Sequence, residues 1–184
     1  MKSFKYVTHI LLILFTLTTV TQAGNTASEI NSDVKSALQT FYNEVPNGKK
    51  YLEKAKAYVV FPDIREAGFF FGGKYGEGAL IQNNTIKSYY SITSASIGFQ
   101  AGMQTYSLII ALTSDGAVQK FMNDDDWETD IDFNIAMADW NNDEELDDVD
   151  FGSNMVGFIF DSTGMMGNFT MEGTQFERIT PDLD

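Results

Sequence analysis

The chain contains no cysteine. Disulfides, thiol nucleophiles and thiolate metal sites are therefore outside its chemistry. Its one histidine, His9, lies in an N-terminal leader. Beyond that leader no imidazole can serve as a general base, a triad member or a zinc ligand. Positive charge is scarce in the second part of the chain. Residues 24–110 hold eight basic and seven acidic side chains, whereas residues 111–184 hold two basic and nineteen acidic. An acidic half of that strength repels phosphate backbones, which argues against nucleic acid as a partner. Its simplest role is solubility.

Long hydrophobic runs are also few. The clearest is in "MKSFKYVTHILLILFTLTTVTQAG", where Lys2 and Lys5 precede an apolar stretch from Ile10 to Val20 and then Thr21-Gln22-Ala23. This three-part order is that of a secretory signal peptide, with cleavage expected after Ala23. The apolar stretch is about 11 residues, short of the roughly 20 that a spanning helix needs. An uncleaved N-terminal anchor is the alternative. No cysteine follows the junction, so an acylated lipoprotein is excluded. Residues 24–184 then read as one exported domain, in the periplasm or cell envelope, with a net charge of −16. Hydrophobic residues make up 43% of the chain, enough for a core built without disulfides.

What is present points to an α+β fold. "SEINSDVKSALQTFYNEVPNG" places Ile30, Val34, Ala37, Leu38, Phe41, Tyr42 and Val45 at helical spacing, one apolar face. Ser28 or Ser32 is the expected cap, and Pro46 and Gly48 the expected stop. "KKYLEKAKAYVVFPD" reads as a short basic helical turn and then a strand over Ala57–Phe61, ended by Pro62. "EAGFFFGGKYGEGAL" reads as one or two glycine-rich strands. Asn83-Asn84 marks a hairpin turn into "TIKSYYSI". "SASIGFQAGMQTYSLIIALTS" is extended, with "LIIAL" buried. Ser114 or Asp115 caps a short helix, "GAVQKFMN". In "DDDWETDIDFNIAM" acids alternate with apolar residues, as in one strand with a wet face and a core face. "NMVGFIFDSTGMMGNFTMEGTQFERI" reads as two strands closing a hairpin around Ser162-Thr163-Gly164. The result is N-terminal helices packed on a curved, glycine-rich antiparallel sheet, with barrel-like closure as its limit.

The glycine run fails both phosphate-binding templates. A P-loop needs Ser or Thr after Gly-Lys, and Tyr75 follows Gly73-Lys74. A dinucleotide fingerprint needs a helix after its glycines, whereas Gly76-Glu77-Gly78 continues into strand-like "ALIQ". These glycines are expected to permit bends and close backbone approach. Asp139, Asn141, Asp143, Glu145, Asp147 and Asp150 occupy positions 1, 3, 5, 7, 9 and 12 of an EF-hand-like loop, but Glu144 replaces the position-6 glycine. A solvated acidic loop is the plainer reading, with calcium the alternative ligand. No other metal or cofactor is implied. No motif selects a catalytic carboxylate pair, so the chain reads as no enzyme. Lys49, Lys50, Lys54, Lys56, Arg65 and Lys74 form the main basic concentration, suited to an anionic lipid headgroup or membrane surface; ordinary surface lysines are the plainer alternative.

These segments together resemble the Ysc84 family, or SYLF domain. The resemblance is carried by Ala55-Lys56-Ala57, Phe61-Pro62, Ala67-Gly68-Phe69, Gly72-Gly73, Gly76 and Gly78, then Gly98, Gln100, Gly102 and Gln104, and finally Glu172-Gly173. It covers about residues 34–179. Ala57 stands where the family usually has glycine, and the late region is unusually acidic. The resemblance implies a non-enzymatic lipid-binding module. Eukaryotic members bind phosphoinositides and some bind actin filaments; exported bacterial members are single domains. For an exported chain the implied role is binding to lipid or a membrane surface in the cell envelope. The alternative is a protein-interaction or structural domain whose acidic half meets a basic protein, with calcium as a modulator.

Overall fold

The computed structural model describes residues 24–68, 71–97, 102–123, 126–128, 135–137, 154–164, 171 and 173–183. The leader and the Asp139–Asp150 loop lie outside them. Helix α1 spans Ala27–Glu44 and buries Ile30, Val34, Ala37 and Phe41, the stripe its sequence period dictates. Its cap is Thr26 rather than Ser28 or Ser32. The Thr26 hydroxyl accepts from the Glu29 N–H at 3.3 Å, and the Glu29 carboxylate accepts from the Thr26 N–H at 2.9 Å. This reciprocal pair satisfies two donors that the helix start leaves open. Asn47, at φ 60°, turns the chain into α2, Gly48–Lys54, which buries Tyr51 and Leu52.

The strands are β1 (Ala57–Gly68), β2 (Phe71–Gln82), β3 (Thr85–Ile97), β4 (Gly102–Leu112), β5 (Asp126–Glu128), β6 (Ala136–Met137), β7 (Met155–Gly164) and β8 (Thr174–Ile179). Helix α3, Asp115–Asn123, follows β4. Ser114 caps it, accepting from the Ala117 N–H at 3.1 Å. The strands form one sheet in the order β5-β8-β3-β2-β1-β4-β7-β6. Every pairing is antiparallel except β6 with β7, which is parallel, so the sheet is mixed. Register shifts interrupt β1 between Phe61 and Ile64, the β2–β3 pair at Leu80/Ile81, and the β4–β7 pair at Thr105/Ser107. Such bulges bend strands and increase twist. The sheet curls into a half-barrel; among the described residues its edges are β5 and β6.

The structure departs from the sequence expectation at three places. Pro62 does not end β1. It sits at the bulge, where the ladder is already broken, and its carbonyl accepts from Ser107 Oγ at 2.7 Å. Residues 124–137 do not make one strand: Asp126–Glu128 pair with β8 and Ala136–Met137 with β7, at opposite edges. Nor do β7 and β8 close a hairpin. Thr163 and Gly164 continue β7 against Thr105 and Gln104 of β4, while β8 lies on β3. The Asn83-Asn84 turn is as expected, both residues having positive φ as a two-residue hairpin of this hand requires.

Two cores result. On one face α1 and α2 pack over Val60, Ala79, Ile109, Ala111, Val156 and Phe158. Phe41 meets Phe158 and Phe160 with ring centroids 5.4 and 5.2 Å apart. On the other face, Phe61, Tyr90, Tyr106, Leu108 and Phe176 pack with α3. The Phe121 ring lies 4.9 Å from Tyr90 and 6.2 Å from Phe176. The helices thus fix the two faces of the sheet, and chemistry is left to its ends and to α2.

Candidate functional site

The six basic residues singled out in the sequence separate into two groups. Lys49, Lys50 and Lys54 stand exposed on α2, with Lys56 exposed just beyond it. Burial of the apolar side chains sets this arrangement. Tyr51 and Leu52 turn inward to the helix-side core, which leaves the lysines between and around them to water. Glu53 is also exposed and dilutes the group. Among the described residues Lys49, Lys50 and Lys56 make no ion pair. The patch is therefore a concentrated positive charge beside an acidic molecule.

Arg65 and Lys74 lie elsewhere, at the far ends of β1 and β2. Arg65 is 73% exposed in its side chain and its guanidinium reaches Asp63 at 2.7 Å, with Nε donating to the same carboxylate oxygen at 2.9 Å. Lys74 is only 6% exposed. It belongs to a polar row that the sequence reading missed. Thr174, Ser94, Lys74, Glu66, Gln104 and Gly164 are successive cross-strand partners on β8, β3, β2, β1, β4 and β7. Directly opposed residues of antiparallel strands share a face, so the row bounds the α3-side core at one end of the sheet. Gln104 Nε2 donates to Glu66 at 2.8 Å. Burial pulls the Lys74 ammonium down to about 8, against the opposing pull of Glu66. Tyr106, next inward on β4, is pushed up by burial and then by the Glu66 charge. The alternation of "KYGEG" and "QTYS" was the available signal, but it becomes informative only once strand register is known.

The same sheet end forms a groove of about 560 Å³ lined by Ala67, Tyr75, Met103 and Thr105 together with Glu66, Lys74 and Gln104 of the row. Met103 is 79% exposed there. On the α1 side of β2, Glu77 is buried. Its carboxylate accepts from the Asn25 N–H at 2.9 Å and from the Tyr75 hydroxyl at 2.5 Å. The Tyr75 phenol is raised by burial first and then by Glu77. The Asp139–Asp150 residues proposed as calcium ligands lie outside the described residues. Of the glycines in "EAGFFFGGKYGEGAL", Gly68 ends β1 and Gly72, Gly73, Gly76 and Gly78 lie within β2, in strands and not in a phosphate-cradling loop.

Residues 93–180, from the second half of β3 through β8, match the model of the Ysc84 family, described as Las17-binding protein actin regulator. Ser94, Gln104 and Thr174 of the polar row fall within this match; Glu66, Lys74 and the lysines of α2 precede it. Among the motifs that carry the resemblance, Gly98–Gln104 and Glu172-Gly173 are inside the match. No curated protein matches the chain.

Proposed function

We propose that the protein is a non-enzymatic domain that binds anionic lipid at a membrane surface of the cell envelope. The observation that carries this reading is the exposed lysine group of α2. Four lysines within eight residues, Lys49, Lys50 and Lys54 on a short helix and Lys56 just beyond it, stand exposed while the apolar side chains of that helix are used in the core. Each lysine near an anionic surface contributes about 1 kcal/mol of attraction, lost when salt screens it. The Ysc84 match supports the reading, because that family comprises binding domains associated with lipid. Las17 and actin binding belong to the family description; an exported chain would meet neither, so lipid is the part carried over. Arg65 is held by Asp63 and Lys74 by its burial, so headgroup contact falls to the four lysines around α2.

The test is sedimentation of the exported protein with vesicles of phosphatidylcholine alone and with added phosphatidylglycerol, at low and physiological salt. Selective, salt-sensitive binding to the anionic vesicles is the expected result. Absence of binding to either would overturn the lipid reading and direct attention to a protein partner.

A further inference from the structure

Glu77 is a buried carboxylate, 7% exposed. A buried charge is costly unless a counter-charge and hydrogen bonds compensate it. Glu77 has hydrogen bonds, from the Asn25 N–H and the Tyr75 hydroxyl. Among the described residues it has no lysine or arginine within ion-pairing distance. What stands beside it is Gly24. A Cβ placed on Gly24 would lie 3.2 Å from Glu77 Oε1 and 3.8 Å from Asp182 Oδ2. The α-nitrogen of Gly24 is two bonds, roughly 2.5 Å, from that point. Two carboxylates therefore lie beside Gly24, the residue that carries that nitrogen.

That segment is held in place independently. Thr26 bridges to Asp182, and the Asp182 N–H donates to the Asn25 carbonyl at 3.3 Å. Thr26 also caps α1. The backbone at Asn25 and Thr26, next to Gly24, is thus held by ordinary backbone bonds. Gly24 is the residue that follows Ala23, where the leader pattern places its cleavage.

We propose that Glu77 and Asp182 form a receptor for the α-ammonium that export processing frees at Gly24, so that removal of the leader completes the ion pairing of the folded domain. Hydrolysis of the Ala23–Gly24 amide by the endopeptidase of the export machinery adds one water. Ala23 leaves as a carboxylate and Gly24 gains an ammonium. Before cleavage the same nitrogen is an uncharged amide, and Glu77 lacks its cation. The inference rests on the export part of the proposed function and is independent of lipid binding.

The groups around the ammonium set its pH dependence. Glu77 of β2 and Asp182 of the C-terminal segment lie beside Gly24, and Tyr75 of β2, Asp33 of α1 and Asp63 with Arg65 of β1 line the neighbouring pocket at Asn25. Carboxylates outnumber the single guanidinium, which Asp63 already holds. The folded-state pKa of the ammonium is therefore raised above the unfolded value of about 8. A raised cation stabilises fully below its unfolded pKa, and that contribution is lost as pH rises through the folded value.

The experiment has two arms. Intact-mass analysis of the exported protein should give a chain beginning at Gly24; any other start overturns the assignment, whatever vesicles report. Thermal melts then compare the protein beginning at Gly24 with the same chain extended by Ser-Ala and with its N-terminally acetylated form. At pH 7 the free ammonium should raise the melting temperature by on the order of 4 °C. The advantage should vanish at pH 10.5, and in Glu77→Gln or Asp182→Asn at pH 7. The Asp182→Asn variant, at an exposed position, keeps the test available if Glu77→Gln does not fold. Equal melting at pH 7, or a difference unchanged by pH and by both substitutions, would overturn the proposal and leave a steric effect of the extension.

Discussion

The carbonyl oxygen of Val60 on β1 occupies the space that a side chain on Gly78 of β2 would need. A Cβ at position 78 would collide with that oxygen and lie 2.8 Å from the Phe61 ring. This contact lies beside the β1 bulge, between Phe61 and Ile64. Glycine is required there because two backbones meet, and not because φ is unusual.

Gly78→Ala should therefore cost about 3 kcal/mol, the scale of an overpacked core, and lower the melting temperature accordingly. Gly116→Ala is the matched control. Its Cβ would meet only Ser114 Oγ, at 3.9 Å, in the first turn of α3, where alanine is favoured over glycine by about 0.5–1 kcal/mol. Chemical denaturation of both variants should give opposite signs. Equal losses would show that the close approach of Val60 is not the cause.

The buried Lys74 predicts an alkaline rise in stability. Its ammonium is held down to about 8 by burial, with Glu66 opposing, whereas an unfolded lysine titrates near 10.4. Between those values the unfolded chain binds more protons, so stability increases with pH. Tyr51 and Tyr58, pushed up to about 12 by burial, act oppositely above pH 10, where the unfolded chain loses their protons first. In the N-terminally acetylated protein, which has no ammonium at Gly24 to titrate, the denaturation free energy should climb from pH 8, turn over near pH 10, and then fall. The climb is on the order of 2–3 kcal/mol. Lys74→Met should flatten it; a rise of the same size in the variant would place its origin elsewhere.

Elements whose cause is local were legible in the sequence. The Ile30–Phe41 stripe, the Asn83-Asn84 turn and the Ser114 cap each depend on residues within a few positions of one another. Capping at Thr26 was missed because Ser28 and Ser32 are equally good caps by type; the Glu29 carboxylate reaching back decides among them. The supposed β7–β8 hairpin failed for a different reason. Thr163 and Gly164 are ordinary turn residues, yet strand pairing with β4 claims them, a choice made some sixty residues away. The lysines of α2 could be found as a charge run. The polar row through Glu66, Lys74 and Gln104 could not, since it exists only in the register of six strands.

The capping box at the start of α1 has a measurable weight. Thr26→Ala removes the oxygen that accepts from Glu29 N–H, and typical losses are about 1 kcal/mol. Glu29→Ala removes the reciprocal bond. The two effects should be non-additive, because each bond orients the other's partner. A double-mutant cycle read by denaturant melts should return a coupling of about 0.5 kcal/mol or more; strict additivity would mean that the two bonds act independently.

Lys50→Glu with Lys54→Glu tests the lipid reading at its residues. Both side chains are exposed on α2 while Tyr51 and Leu52 hold the helix to the core, so the fold should tolerate the reversal within about 0.5 kcal/mol. Binding to anionic vesicles should weaken by at least tenfold, since each lost lysine removes about 1 kcal/mol and each added glutamate repels. The salt dependence of the remaining binding should become shallower as well, because fewer charges are left to screen. Asp63→Ala frees the Arg65 guanidinium at a separate place on the surface and serves as a charge control. It raises net charge by one unit without touching α2. The double reversal changes net charge by four units, so if Asp63→Ala strengthens binding by about a quarter of the free energy that the reversal loses, overall charge governs association. A gain well below that quarter would instead locate headgroup contact on the helix.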